Sequence, residues 1–375
     1  MKQSHRRTDL INEITDVLQK LPIVTNLARK KFVSHFVVGL IKSRNVQFCE
    51  IAQHLNDKAK IASNENRIQD FFRDVTIDYY AVAVLLISLL PKNRKLRLCI
   101  DRTEWDFGNC QVNILMVLVG CDDIQIPLYW ELLDNKSGNS NAEDRINLLD
   151  LCLNLIGKER VGLIVGDREF VGSKWFRYLK DNKLPFVMRM PKNHSITNVD
   201  GRNYTVSDLV FESDKPLLVK ECQVDGVWGH AWIMALDKGE YLFLFGTAPL
   251  KFMGQFYRKR WTIEVCFQNL KGRGFNLELT HVKCLLKLKK LVALVSISYC
   301  FCVGLGVYFH DKVQKIKHKK HGYKEASFSR HGLNQIREMS RDQSPIDLDL
   351  QLKIRSLFRW LKRQLLDYQL IKIAG

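Results

Sequence analysis

No internal repeat and no low-complexity tract interrupts the 375 residues, so solenoid and fibrous architectures are set aside in favour of globular domains. The ten cysteines lack paired spacing apart from Cys300 and Cys302, and no histidine-rich partner stands at zinc-ligand distance from them. That excludes a disulfide framework and a zinc ribbon, and leads us to expect reduced, mostly buried thiols. The N-terminal MKQSHRRTDL has no apolar core segment, so no signal peptide is expected. Long hydrophobic runs are scarce as well. The exception is Leu291–Phe309, nineteen uncharged residues behind Lys289 and Lys290. By length it qualifies as a membrane span. Its Ser296, Ser298, Gly304 and Gly306 favour the other reading, the central helix of a soluble core.

Negative charge is the commodity in shortest supply. The formal net charge is +18, and the pI is near 9.4. A polyanionic partner follows, with nucleic acid the leading candidate; an anionic membrane or a ribosome has the same sign. Between Lys251 and Lys290 there are ten Lys and Arg residues but only two acids, Glu264 and Glu278. A solvated helix face mixes signs, whereas a surface that follows a phosphate backbone does not.

The length allows two or three domains with a substantial core. Residues 1–75 read as helical: Asp9–Lys20, Leu27–Lys42, a break at Arg44-Asn45, then Val46–Leu55 and Arg67–Arg73, with Ser63-Asn64-Glu65-Asn66 offering caps. This order fits a helix-turn-helix DNA reader and equally a plain helical bundle. Tyr79–Leu90 is apolar throughout. From Leu96 the pattern changes to strands at Leu96–Asp101, Val112–Gly120 and Ile124–Leu133. A loop at Lys136–Asn141, a helix over Ala142–Ile156, a strand at Val161–Val165, a helix over Lys174–Asp181 and a strand at Pro185–Arg189 follow. Three antiparallel strands and then helix-strand-helix-strand is the order of an RNase H-like α/β sheet. Short strands at Tyr204–Val206, Leu217–Gln223, Val227–Ala235 and Tyr241–Thr247 interrupt it as an inserted β subdomain. The expected division is 1–75 helical and DNA-binding, 76–191 and 251–310 the two parts of the core, 192–250 the insertion, and 311–375 basic and helical. That last part holds Lys312, Lys315, Lys317, Lys319 and Lys320, and a leucine-rich end. There Leu350, Ile354, Leu357, Leu361 and Leu365 form a stripe for docking within the chain or for pairing with a second copy.

Two acids stand where strands give way to loops: Asp101 in CIDRTEW and Asp167 in IVGDREF. Ligand sites of α/β sheets collect at that carboxyl edge. A third acid lies in Tyr257–Lys271, read as one helix. At about 100° per residue, Tyr257, Arg260, Glu264 and Lys271 fall at about 0°, 300°, 340° and 320°, on one stripe. Phe256, Ile263, Cys266, Phe267 and Leu270 give the helix an apolar side to bury. Asp101, Asp167 and Glu264 together offer hard oxygen ligands for two divalent metals, and the neighbouring cations suit phosphates.

The spacing Tyr257-(2)-Arg260-(3)-Glu264-(6)-Lys271 resembles the signature of the DDE transposases of bacterial insertion sequences of type four. IDRTEWDFG, IVGDREFVG and YRKRWTIEVCFQNLKGRGFNLE resemble that family's blocks around its two aspartates and its glutamate, and SFSRHGL a C-terminal block. The likeness spans roughly residues 95–335. It implies a cut-and-paste enzyme in which Asp101, Asp167 and Glu264 are catalytic and hold two Mg²⁺, with Mn²⁺ as a substitute. Tyr257, Arg260 and Lys271 would grip DNA. It also implies double-stranded DNA as partner (terminal inverted repeats and target), a homodimer when bound to DNA, no membrane, and a cytoplasmic, nucleoid-associated bacterial setting. Some relatives pass through a DNA hairpin with a flipped base on a Trp of the insertion. Trp228 and Trp232 are the candidates for that base stacking, and both are equally read as core residues. The competing readings are a DNA-binding protein derived from a transposase without activity, and a structure-selective nuclease on the same core.

Overall fold

The computed structural model describes residues 10–56, 58–107, 110–133, 140–209, 215–236, 240–320, 324–341, 352, 355–363 and 365. Contacts group the chain into two compact units: Met1–Lys92 with Cys266–Gly375, mostly helical, and Asn93–Val265, built on a sheet.

The helical unit opens with α1 (Leu10–Gln19), α2 (Leu27–Ser43), α3 (Phe48–Ala52), α4 (Ile61–Asp74) and α5 (Tyr79–Ile87). The Asn26 side chain caps α2 by accepting from Arg29 N, and Arg44 closes it in the left-handed region, its N–H donating to Leu40 O. Ring contacts such as Phe32 on Phe71 (4.6 Å between centroids) tie α2 to α4. Two expectations are corrected. The fourth helix starts at Ile61 rather than at Arg67, so Ser63–Asn66 lie inside it. Asn64 is not a cap: it is buried, and its Nδ2 donates to Ala52 O at 3.1 Å and Asn56 O at 3.0 Å. A side chain that satisfies two carbonyls of the preceding turn is worth more inside the helix than at its end.

The sheet unit contains β1 (Leu96–Phe107), β2 (Cys110–Cys121), β3 (Ile124–Leu132), α6 (Ala142–Ile156), β4 (Val161–Gly166), α7 (Ser173–Asp181) and β5 (Phe186–Arg189). It continues with β6 (Ser195–Thr197), β7 (Asn203–Thr205), the single turn α8 (Val206–Leu209), β8 (Leu217–Val224), β9 (Val227–Ala235) and β10 (Tyr241–Gly246). The strand order is β3-β2-β1-β4-β5-β10-β9-β8-β6-β7. β1–β3 form an antiparallel meander. β4 joins β1 in parallel after the meander and α6, and β5 joins β4 in parallel through α7. β10 then pairs antiparallel with β5, so β6–β10 continue the same ten-stranded sheet. The α/β class and nearly every strand follow the sequence pattern.

The first strand is longer than expected. β1 runs on to Phe107 against β2, so Asp101 lies in mid-strand rather than at its end. The parallel pairing of β1 with β4 nevertheless stops at Cys99↔Val165. Asp101 and Asp167 therefore both stand two residues beyond the last parallel pair, and the carboxyl edge falls where the acids are.

The stretch expected as one helix over Tyr257–Lys271 is two: α9 (Met253–Arg258) and α10 (Trp261–Leu270). Between them Arg260 N donates to Tyr257 O and Ile263 N to Arg260 O, both at 2.8 Å. Bonds of three-residue span tighten the turn and break the helical register.

The helical unit closes with α11 (Leu285–Lys312) and α12 (Phe328–Arg341). α11 is long and apolar enough to cross a membrane, and 83% of its most apolar window is buried. Its neighbours are α2, α4, α5 and α12. Gly306 and Gly332 let α11 and α12 touch backbone to backbone: a Cβ on Gly306 runs into the Phe328 carbonyl, and one on Gly332 into that of Cys302. At the C-terminal end, Leu357, Leu361 and Leu365 are buried, and Lys362 Nζ pairs with Glu13 (3.2 Å) and Asp16 (2.9 Å) of α1. Those leucines dock within the chain. Leu350 and Ile354 lie outside the described residues.

Candidate active site

The sheet unit gathers Asp101, Asp167, Tyr257, Arg260 and Glu264. Arg260 is at the centre. Its Nη2 lies 2.7 Å from Glu264 Oε1 and 3.9 Å from Asp167 Oδ2, and its Nη1 lies 3.3 Å from Asp101 Oδ2. One guanidinium thus faces one oxygen from each of three carboxylates. The remaining oxygens hold the acids in place. Arg102 N donates to Asp101 Oδ1 and Arg168 N to Asp167 Oδ1, each at 2.8 Å. Tyr257 OH adds a bond to Asp167 Oδ1 at 3.1 Å, and Arg189 Nη1 lies 3.9 Å from the same atom. The Arg260 guanidinium also lies over the Tyr257 ring, 5.6 Å from its centroid.

Burial and crowding of like charge tune these groups. Burial pushes the Asp101 carboxyl up to about 6. The Arg102 N–H and Arg260 oppose that shift, while Asp167 and Glu169 add to it. Tyr257 is pushed up to about 12, by burial first and by Asp167 second, so it remains a phenol that donates its proton. Burial alone lowers Arg260, but Tyr257, Asp167, Asp101 and Glu264 together leave it above its ordinary value.

A second set of residues braces the first. Arg102 Nε donates to Glu169 Oε2 at 2.9 Å and its Nη1 to Glu104 Oε2 at 2.6 Å. Glu169 Oε1 accepts from Ser140 N at 3.0 Å and Ser140 Oγ at 2.8 Å. Arg145, buried on α6, donates to Ser140 Oγ at 2.8 Å, to the Ser140 carbonyl and to Val171 O at 3.2 Å. The acids that follow each aspartate in sequence, Glu104 and Glu169, both serve Arg102. Through Arg102, β1 is tied to the loop after β4 and to the start of α6.

The oxygen set suits a hard divalent cation. Asp101 Oδ2, Asp167 Oδ2 and Glu264 Oε1 already face a common positive charge, and carboxylate oxygens are what Mg²⁺ and Mn²⁺ prefer. Among the described residues no three acids are gathered tightly enough to hold an ion as they stand.

A family model described as "Transposase DDE domain" matches residues 93–301. The chain belongs to the DDE transposase family. No curated protein matches it at a significant level. Of solved structures, the piggyBac transposase synaptic complex with hairpin DNA is similar at 12% identity, over 94% of this chain and 83% of that one, with a TM-score of 0.39. An endonuclease V from Bacillus subtilis is similar at 10% identity, over 54% and 83%, with a TM-score of 0.26.

The matched DDE transposase segment contains every site residue expected from the sequence. Lys271 is the one that falls in the other compact unit, where its Nζ pairs with Glu278 at 3.0 Å. The two tryptophans of this DDE transposase differ. Trp228 on β9 is 40% exposed. Trp232 is buried with Gly254 packed against its ring, which makes it a core residue. Trp261, at the start of α10 beside Arg260, is 63% exposed.

Proposed function

We propose that this chain is the transposase of a bacterial insertion sequence of type four. It would cut DNA at the element's ends and join the freed 3′-hydroxyl to target DNA. The observation that carries this reading is the convergence of Asp101, Asp167 and Glu264, one oxygen each, on a single positive charge beside the carboxyl edge of the parallel strands. The strand order β3-β2-β1-β4-β5 supports an RNase H-like core. The strands β6–β10 would be its insertion and the helices of 1–75 the reader of terminal inverted repeats, acting as a homodimer on DNA in the bacterial cytoplasm.

Asp101, Asp167 and Glu264 would hold two Mg²⁺, or Mn²⁺ in their place. Bound there, the ions would supply an activated water and stabilise the leaving 3′ oxygen. The chain's own residues do the positioning. The backbone N–H groups of Arg102 and Arg168 pin one oxygen of each aspartate, which leaves the other aimed inward. Tyr257 keeps its proton and fixes Asp167. Arg260 and Lys271 would take phosphate oxygens, and the exposed Trp228 would offer a face for a flipped base. Incubation with Mg²⁺ and a duplex carrying the ends should yield both nicking and strand transfer. Nicking without transfer points to a nuclease, and binding without either to an inactive DNA-binding protein.

A further inference from the structure

The guanidinium of Arg260 occupies the position that a cation between the three carboxylates would take. It is 13% exposed and lies 2.7, 3.3 and 3.9 Å from Glu264, Asp101 and Asp167. A surface ion pair would engage one acid; this side chain engages three, one from each of the elements that build the site. Three carboxylates around a partly buried point repel one another strongly unless a positive charge separates them. The chain supplies that charge itself.

We propose that Arg260 is a built-in counter-cation, which divalent ions must displace from the acids before they bind. This rests on the reading of the acids as a metal site. Once displaced, the guanidinium needs another anion, and a DNA phosphate is the anion that the same reading brings to it. Uptake of the ion and grip on the phosphate therefore share one side chain. By linkage each strengthens the other, and the protein alone holds ions weakly.

The test is calorimetric titration of Mn²⁺ into DNA-free protein, for the parent, Arg260→Ala, Arg260→Gln and Arg260→Lys. Removing the charge should raise Mn²⁺ affinity tenfold or more in the Ala and Gln variants, while Lys stays near the parent. A merely structural ion pair predicts equal or weaker binding, because losing it loosens the acids. The Gln variant keeps a hydrogen-bonding side chain and covers the case in which Arg260→Ala does not fold. Equal Mn²⁺ affinity in the parent and in Arg260→Gln overturns the inference and leaves the metal site standing. No Mn²⁺ binding by the parent or any variant overturns both.

Discussion

Replacing Asp101 with asparagine makes the stability of the metal-free protein less dependent on pH, and the size of the effect follows from the site. Burial raises this carboxyl from an ordinary 3.8 to about 6. Its side chain is 18% exposed, so little solvent screening applies. A group whose folded pKa is raised lends stability that is fully present below its unfolded pKa and lost as pH climbs through the folded value. The window therefore runs from about pH 4 to pH 7. The shift of about 2.2 units corresponds to about 3 kcal/mol. Over that window the parent loses about 3 kcal/mol of stability relative to Asp101→Asn, whatever constant offset the substitution brings. For a unit of this size that is a relative fall in Tm of roughly 6–12 °C. The assay is thermal denaturation in EDTA at half-unit pH steps. Parallel curves for the two proteins would refute the claim that Asp101 pays a burial cost for its charge.

Three further variants probe other parts of the account. Glu169→Gln weakens the brace to Arg102 and Ser140, so stability should drop by about 1–3 kcal/mol in denaturant titrations. Cleavage should stay within tenfold of the parent, since this acid bonds Arg102 and Ser140 and acts on Asp101 only through its charge. Gly306→Ala drives a methyl group into the Phe328 carbonyl, and should cost about 1–3 kcal/mol by the same measurement. Lys315, Lys317, Lys319 and Lys320 are exposed, and among the described residues no carboxylate pairs with them. If they follow a DNA backbone, replacing all four with alanine should reduce the slope of log K against log salt by up to about 3.6.

The parts of the fold legible in the sequence are those set by local rules. Helix α6 covers the expected Ala142–Ile156, because Asn141 and Asp144 form a reciprocal cap and Gly157 stops it. The aspartates were found because each follows an apolar strand, even though β1 continues past Asp101. What escaped depends on contacts between distant segments. Nothing within a few residues of Glu169 announces that it will meet Ser140 and Arg102; the pairing of β1 with β4 decides it. The single helical stripe of Tyr257, Arg260, Glu264 and Lys271 is replaced by two helices, α9 and α10, with Lys271 in the other compact unit. A tight turn brings Arg260 among the acids, and Tyr257 reaches Asp167 instead of lying beside Glu264 on one continuous helix.

The most direct measurement is Mg²⁺-dependent cleavage of a duplex carrying the element's ends by the parent and by Glu264→Gln, with DNA binding by both followed by gel shift. The account predicts that the variant binds the duplex as the parent does and leaves it uncut. Cleavage at the parental rate by Glu264→Gln would contradict the assignment of Glu264, and with it the site built around Arg260.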